Sequence, residues 1–190
     1  MKYISTRGGI KPINFCEAVR MGLASDGGLI VPESIPNISK EIDSWRGLNY
    51  REIAFKVMSL FIDDIPAKDL EKLIFASTEK FTSKEVTPTV DIDDVFILEL
   101  FHGPTLAFKD LALQFLGNVF LYILQRDGGE LNILGATSGD TGSAAIQGLL
   151  NKDNINIFIM HPKGRTSPLQ AMQMISVLDK NVHNIAIDGT

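Results

Sequence analysis

A chain of 190 residues holds one full domain or one and a fraction. Its 45% hydrophobic and 22% charged residues are ordinary globular composition, and a net charge of -5 without a Lys/Arg cluster argues against a nucleic-acid or anionic-membrane partner. One cysteine, Cys16, excludes an intrachain disulfide and a cysteine-rich zinc site and fits a reducing cytoplasm.

The first elements are small. Tyr3–Ser5 reads as a short strand, followed by a helix with Phe15, Ala18, Val19 and Gly22 on one face. The turn SDGG (25–28) leads into LIVP, and Pro32 and Pro36 mark a loop. Two helices follow over about 50–62 and 67–80, the first with Ile53, Ala54, Val57, Met58 and Phe61 as an apolar stripe. This half reads as a mainly helical subdomain without chemistry, ending near TPTVDIDD (87–94). The expected division is therefore 1–94 and 95–190.

The second half has another grammar. VFILEL (95–100) reads as a buried strand. A helix follows with Leu111, Ala112, Phe115, Leu116, Val119 and Phe120 on one side. Its run Val119–Leu124 is the strongest apolar stretch in the chain, well short of the ~20 residues that span a bilayer. MKYISTRGGIKP lacks the apolar core of a signal peptide. ELNILGAT (130–137), INIFIMH (155–161) and VHNIAID (182–188) are further strands, with a short helix SAAIQGLLN (143–151) after the first of them. Ser167 and Pro168 supply an N-cap and first-turn proline for a helix expected to bury Leu169, Met172, Ile175 and Leu178. Strands alternating with helices predict an α/β fold, a parallel sheet with flanking helices and right-handed crossovers. Thr190 directly follows a strand, where a loop and covering helix are expected, so the reading is of a truncated sheet completed by further chain or another polypeptide.

In open parallel sheets ligands bind beyond the carboxyl ends of the strands. Three unusual loops belong there: FHGPT (101–105), ATSGDTG (136–142) and HPKGRTS (161–167). Gly139 and Gly142 let a backbone turn tightly, and the next helix adds its positive end, together an anion site. The glycine spacing is neither G-x-G-x-x-G nor a P-loop, and a plain turn capped by Ser138, Asp140 or Thr141 is the alternative. Lys163 and Arg165 precede a helix start, where cations oppose the macrodipole unless an anion binds; a solvated basic loop is the alternative. Lys109 also lies at a helix start, with Leu106, Phe108 and Leu111 near it in sequence. Desolvation and the helix field both favour its neutral amine, a nucleophile able to form a Schiff base with an aldehyde. The alternative is a lysine snorkelling into solvent beside Asp110. His102, His161 and His183 share no metal-ligand spacing, so no metal is expected.

FHGPTLAFKD followed about thirty residues later by ATSGDTG resembles the threonine synthase family, of fold type II. YISTRGG, DGGLIVP (26–32) and HPKGRTSPLQAMQM resemble that family's other N-terminal segments, so the likeness covers the whole chain. The resemblance implies a lyase using pyridoxal 5′-phosphate to convert O-phospho-L-homoserine and water to L-threonine and phosphate. It implies that Lys109 bonds the cofactor and shuttles protons, with Phe108 and Asp140 as cofactor contacts. Asp140 stands where many fold relatives carry Asn, and Asp is the threonine-synthase variant. Ser138, Gly139, Thr141 and Gly142 match the loop holding the substrate carboxylate, and Lys163 and Arg165 are matched to the substrate phosphate. Full-length relatives continue beyond Thr190 to a glycine-rich cofactor-phosphate loop and a hydroxyl partner for the pyridine nitrogen. The 190-residue chain alone is therefore expected to bind cofactor poorly and not turn over. Rival readings are another fold-type-II lyase, such as a threonine or serine dehydratase, and a non-catalytic phosphate-binding relative.

Overall fold

The computed structural model describes residues 1–137 and 139–189. The chain divides into two compact units, Met1–Phe75 and Ala76–Thr190. The sequence puts the junction later, near 87–94; in the structure those residues are the hairpin of the second unit.

In the first unit β1 (Tyr3–Ser5) pairs antiparallel with β2 (Ile30–Pro32). The YISTRGG and DGGLIVP segments meet at Asp26. Its carboxyl accepts from the backbone N–H of Gly28 (2.8 Å), the Ser5 hydroxyl (2.8 Å) and the Gly9 N–H (2.6 Å). The Gly28 N–H first, and then the Ser5 hydroxyl, hold it below the usual carboxylate range. A Cβ on Gly28 would lie 2.2 Å from Ser5 Oγ, so the knot requires glycine there. Helices α1 (Phe15–Met21) and α2 (Tyr50–Ser59) each open on an asparagine capping box, Asn14 with Glu17 and Asn49 with Glu52. The third helix, α3 (Ala67–Thr78), supplies Leu70, Leu73 and Ile74 to a core shared with Cys16, Ile62 and Ile65. The apolar stripe of α2 is only half-buried, and Ile53 and Val57 are exposed.

The second unit begins with a surprise for the sequence reading. VFILEL is not a buried parallel strand. Val95–Leu98 forms β4, paired antiparallel with β3 (Thr89–Ile92), and all four of its residues are exposed. The cause is local. Asp93 takes a left-handed backbone (φ 54°), which aspartate tolerates better than most residues, and Ile92 pairs with Val95 across a two-residue turn.

From there the predicted alternation holds: α4 (Asp110–Asp127), β5 (Leu131–Ala136), α5 (Asp140–Leu149), β6 (Ile155–Pro162), α6 (Pro168–Ile175) and β7 (Val182–Ile187). The three strands form one parallel sheet in the order β5-β6-β7. Strand β6 is central, and its Ile155, Ile157 and Ile159 are fully buried in a cluster with Leu124, Ile146, Leu149 and Met174. The fold is α/β, a parallel sheet flanked by helices. Among the described residues no helix is long and apolar enough to cross a membrane.

Two helix faces differ from expectation. In α4 the buried residues are Asp110, Gln114, Gly117, Val119, Ile123 and Leu124, while Leu111, Phe115, Leu116 and Phe120 are half-buried and Ala112 is exposed. In α6 Met174 is buried, whereas Leu169, Met172 and Ile175, with Leu178 beyond, are exposed.

Candidate active site

Helix α4 begins directly after Lys109, which occupies the N-cap position with helical backbone angles and no side-chain cap bond. The loop before it is fixed by Asp110. That side chain is fully buried, and its carboxyl accepts from the Thr105 N–H (2.8 Å) and Thr105 hydroxyl (2.9 Å). Gly103 packs against it so closely that a Cβ would lie 2.5 Å from the Asp110 Cβ. Asp110 therefore anchors the FHGPT loop, and Lys109 is freed from that task. Asp110→Asn keeps one acceptor but turns an amide N–H toward Thr105. The expected cost is about 1 kcal/mol, read as a lower denaturant midpoint at unchanged slope.

Lys109 Nζ donates to Thr141 Oγ1 in the first turn of α5. Lys109 as a residue is half-buried, its amine's hydrogen bond to Thr141 is exposed, and the amine lies 5.7 Å from the Phe108 ring centroid. Leu106 and Phe108 do not enclose it in the way their sequence proximity suggests: they are 65% and 59% exposed. Leu106 adopts a left-handed backbone (φ 63°) that turns the chain before the helix.

The second loop closes on the same point. Helix α5 starts at Asp140, three residues before the predicted start, so Asp140, Thr141 and Gly142 form its first turn. Acidic and hydroxyl side chains are favoured there by the helix dipole. Asp140 Oδ1 accepts from Gln170 Nε2 (2.7 Å). Gly139 and Gly142 have a packing reason to be glycine. A Cβ on Gly139 would lie 2.4 Å from Gln170 Nε2, and one on Gly142 would lie 2.5 Å from Thr137 Cγ2 and 2.7 Å from the Met174 sulfur. Ser138, a predicted member of this loop, lies outside the described residues.

Two glutamines of α6 were not singled out by sequence. Gln173 Nε2 donates to the Thr105 carbonyl (3.1 Å), and Gln170 holds Asp140, so one helix braces both loops. Their signal is an i, i+3 polar pair within the apolar run PLQAMQM. Lys163 and Arg165 sit exposed in the loop between β6 and α6, and neither side chain joins the Lys109–Thr141 pair. His102 pairs with Glu99 (Nε2 to Oε2, 2.6 Å), His183 stacks on Phe158, and His161 is buried. Among the described residues no cluster suits a metal ion.

The family model described as threonine synthase N terminus matches residues 2–78. Over its whole length the chain is 49% identical to the threonine synthase of Schizosaccharomyces pombe and 50% identical to that of Pseudomonas aeruginosa. The chain is similar over its whole length to the N-terminal portion of threonine synthases. The solved structure of PLP-bound threonine synthase from Brucella melitensis superposes on all of it with a TM-score of 0.92 at 44% identity. The chain spans about two fifths of these threonine synthases: 39% and 41% of the first two and 42% of the third. It matches their N-terminal portion. The first compact unit and the family's N-terminal segment end within three residues of each other, at Phe75 and at residue 78.

Proposed function

We propose that the protein acts as a threonine synthase, a carbon–oxygen lyase that turns O-phospho-L-homoserine and water into L-threonine and phosphate. The observation that carries this reading is the meeting of Lys109 Nζ with Thr141 Oγ1 where α4 and α5 both begin. An amine flanked by two helix N-termini, reachable from solvent and aligned by one hydroxyl, suits an aldehyde-bearing anionic cofactor. The donor set therefore fits pyridoxal 5′-phosphate, with Lys109 as the covalent attachment point and Phe108 and Asp140 as its further contacts. When bound, the cofactor supplies an electron sink for carbanion chemistry at the substrate.

The chain's own residues have separate tasks. Thr141 Oγ1 fixes the orientation of the Lys109 amine. Lys109 Nζ accepts a proton from the substrate α-carbon and later returns one, as a general base and acid. Ser138, Gly139, Thr141 and Gly142 belong to the loop assigned here to the substrate carboxylate, at the positive end of α5. Lys163 and Arg165 take the substrate phosphate. Gln170 holds the Asp140 carboxyl in one orientation. A cytoplasmic location belongs to this reading, supported by a lone buried thiol, Cys16. The test is an assay of the product of the complete coding sequence with O-phospho-L-homoserine. Phosphate and threonine should appear in equal amounts without ammonia. Ammonia as the nitrogen product would favour a dehydratase instead.

A further inference from the structure

The α4–α5 crossing leaves a cavity of about 190 Å³ that the proposed chemistry does not use. Gln114 and Asn118 of α4, Gln147 of α5, Lys152 just beyond α5, and Ser77 and Lys80 line it. Neither Lys109 nor Thr141 does. Its volume is below the ~300–1,000 Å³ of sites for drug-sized ligands, so it suits a group of a few heavy atoms.

The lining is built for negative charge. Lys152 is half-buried and turned inward, its Nζ donating to Asn118 Oδ1 at 2.7 Å. Asn118 is held in turn, its Nδ2 donating to Ser77 Oγ at 3.2 Å. An ammonium carries three donors, and among the described residues Asn118 alone accepts from this one. Burial, and after it the charge of Lys80, push the Lys152 amine below its usual range. The one carboxylate of the lining, Glu79, is exposed and forms no ion pair with either lysine among the described residues. Two cations thus face one cavity whose lining carboxylate pairs with neither among the described residues, and a bound anion would relieve both the desolvation and the repulsion.

We propose that this cavity binds a phosphate group, held by Lys152 and Lys80 with the side-chain amides of Asn118 and Gln147. Donors from several directions suit a tetrahedral oxyanion better than a planar carboxylate. The group belongs either to free phosphate or to a small phosphomonoester.

The experiment is calorimetric titration of the complete coding sequence's product with inorganic phosphate at constant ionic strength. A Lys163→Ala/Arg165→Ala background removes the cations proposed for the substrate phosphate. Saturable binding should persist in that background and weaken about tenfold or more in Lys152→Met. Lys80 is exposed, so Lys80→Met should keep the fold and weaken binding about threefold. It therefore keeps the test valid even if Lys152→Met fails to fold. Absence of saturable binding in the background, or affinity unchanged in both variants, would overturn the proposal. Glycerol 3-phosphate that displaces phosphate marks a phosphomonoester site; phosphate bound without such competition marks a site for the free ion. Acetate should not compete, and equal affinity for acetate would sink the phosphate assignment.

Discussion

Lys109→Ala is expected to lower turnover of O-phospho-L-homoserine by roughly 10²–10⁴-fold, the range contributed by a positioned general acid–base group. Loss of the covalent anchor comes on top of that. Lys109→Arg should be no better, because a guanidinium keeps the charge but stays protonated and cannot serve as the nucleophile. The structural reason for assigning so much to one amine is its isolation from other duties. The N-cap lysine caps nothing, and the loop before it is anchored by Asp110. Among the described residues its Nζ donates one hydrogen bond, to Thr141. The decisive measurement is peptide mass after pyridoxal phosphate is added to the product of the complete coding sequence and reduced with borohydride. Wild type should carry the adduct on Lys109, and Lys109→Ala should carry none. An adduct on a different lysine would overturn the assignment.

Gly148→Ala is expected to destabilise the second unit by about 2 kcal/mol, although alanine is intrinsically the better helix former by about 1 kcal/mol. The crossing geometry decides the sign. Its Cβ would lie 2.4 Å from the Leu113 carbonyl oxygen, a backbone atom that cannot move aside as a flexible side chain can. Gly117 is the reciprocal contact, since a Cβ there would lie 2.0 Å from the Gly148 carbonyl oxygen. The two helices touch backbone to backbone. Lys109 lies about one turn before Leu113 on the first helix, and Thr141 opens the second. Pushing the helices apart should therefore also loosen the Lys109–Thr141 pair. For a chain of this size the loss should appear as a melting point lower by several degrees, at about 2–4 °C per kcal/mol. An unchanged or higher melting point in Gly148→Ala would show that the crossing is not tight.

The alternation of strands and helices from β5 to β7 was legible in sequence because each element is long and strongly patterned. The faces of α4 and α6 were not. Apolar periodicity assumes that a buried face is apolar throughout. The inward row of α4 runs Asp110, Gln114, Gly117, Leu121, Leu124: polar at the Lys109 end, glycine at the crossing, leucine over the sheet. On α6 the inward row is Gln170, Gln173 and Met174, with Val177 just beyond the helix, because that helix meets loops whose carboxyl and carbonyl groups need donors. VFILEL misled for a different reason. A short apolar run specifies a strand but not its partner, and the Asp93 turn returned it to β3.

The sequence by itself determined the α/β class, pointed to Lys109 as a candidate reactive amine, and carried the likeness to threonine synthases through FHGPTLAFKD and SGDTG. These are local properties: residue type, spacing and position relative to a helix start. The tertiary structure alone decided that Thr141 receives the Lys109 amine, that two glutamines brace the loops, and that Lys80 and Lys152 share a cavity. Each of those depends on residues tens of positions apart being brought within a few ångströms. For Lys109 and Thr141, at the starts of α4 and α5, the approach depends on how closely the two helices can cross, which here is the van der Waals limit of two glycines.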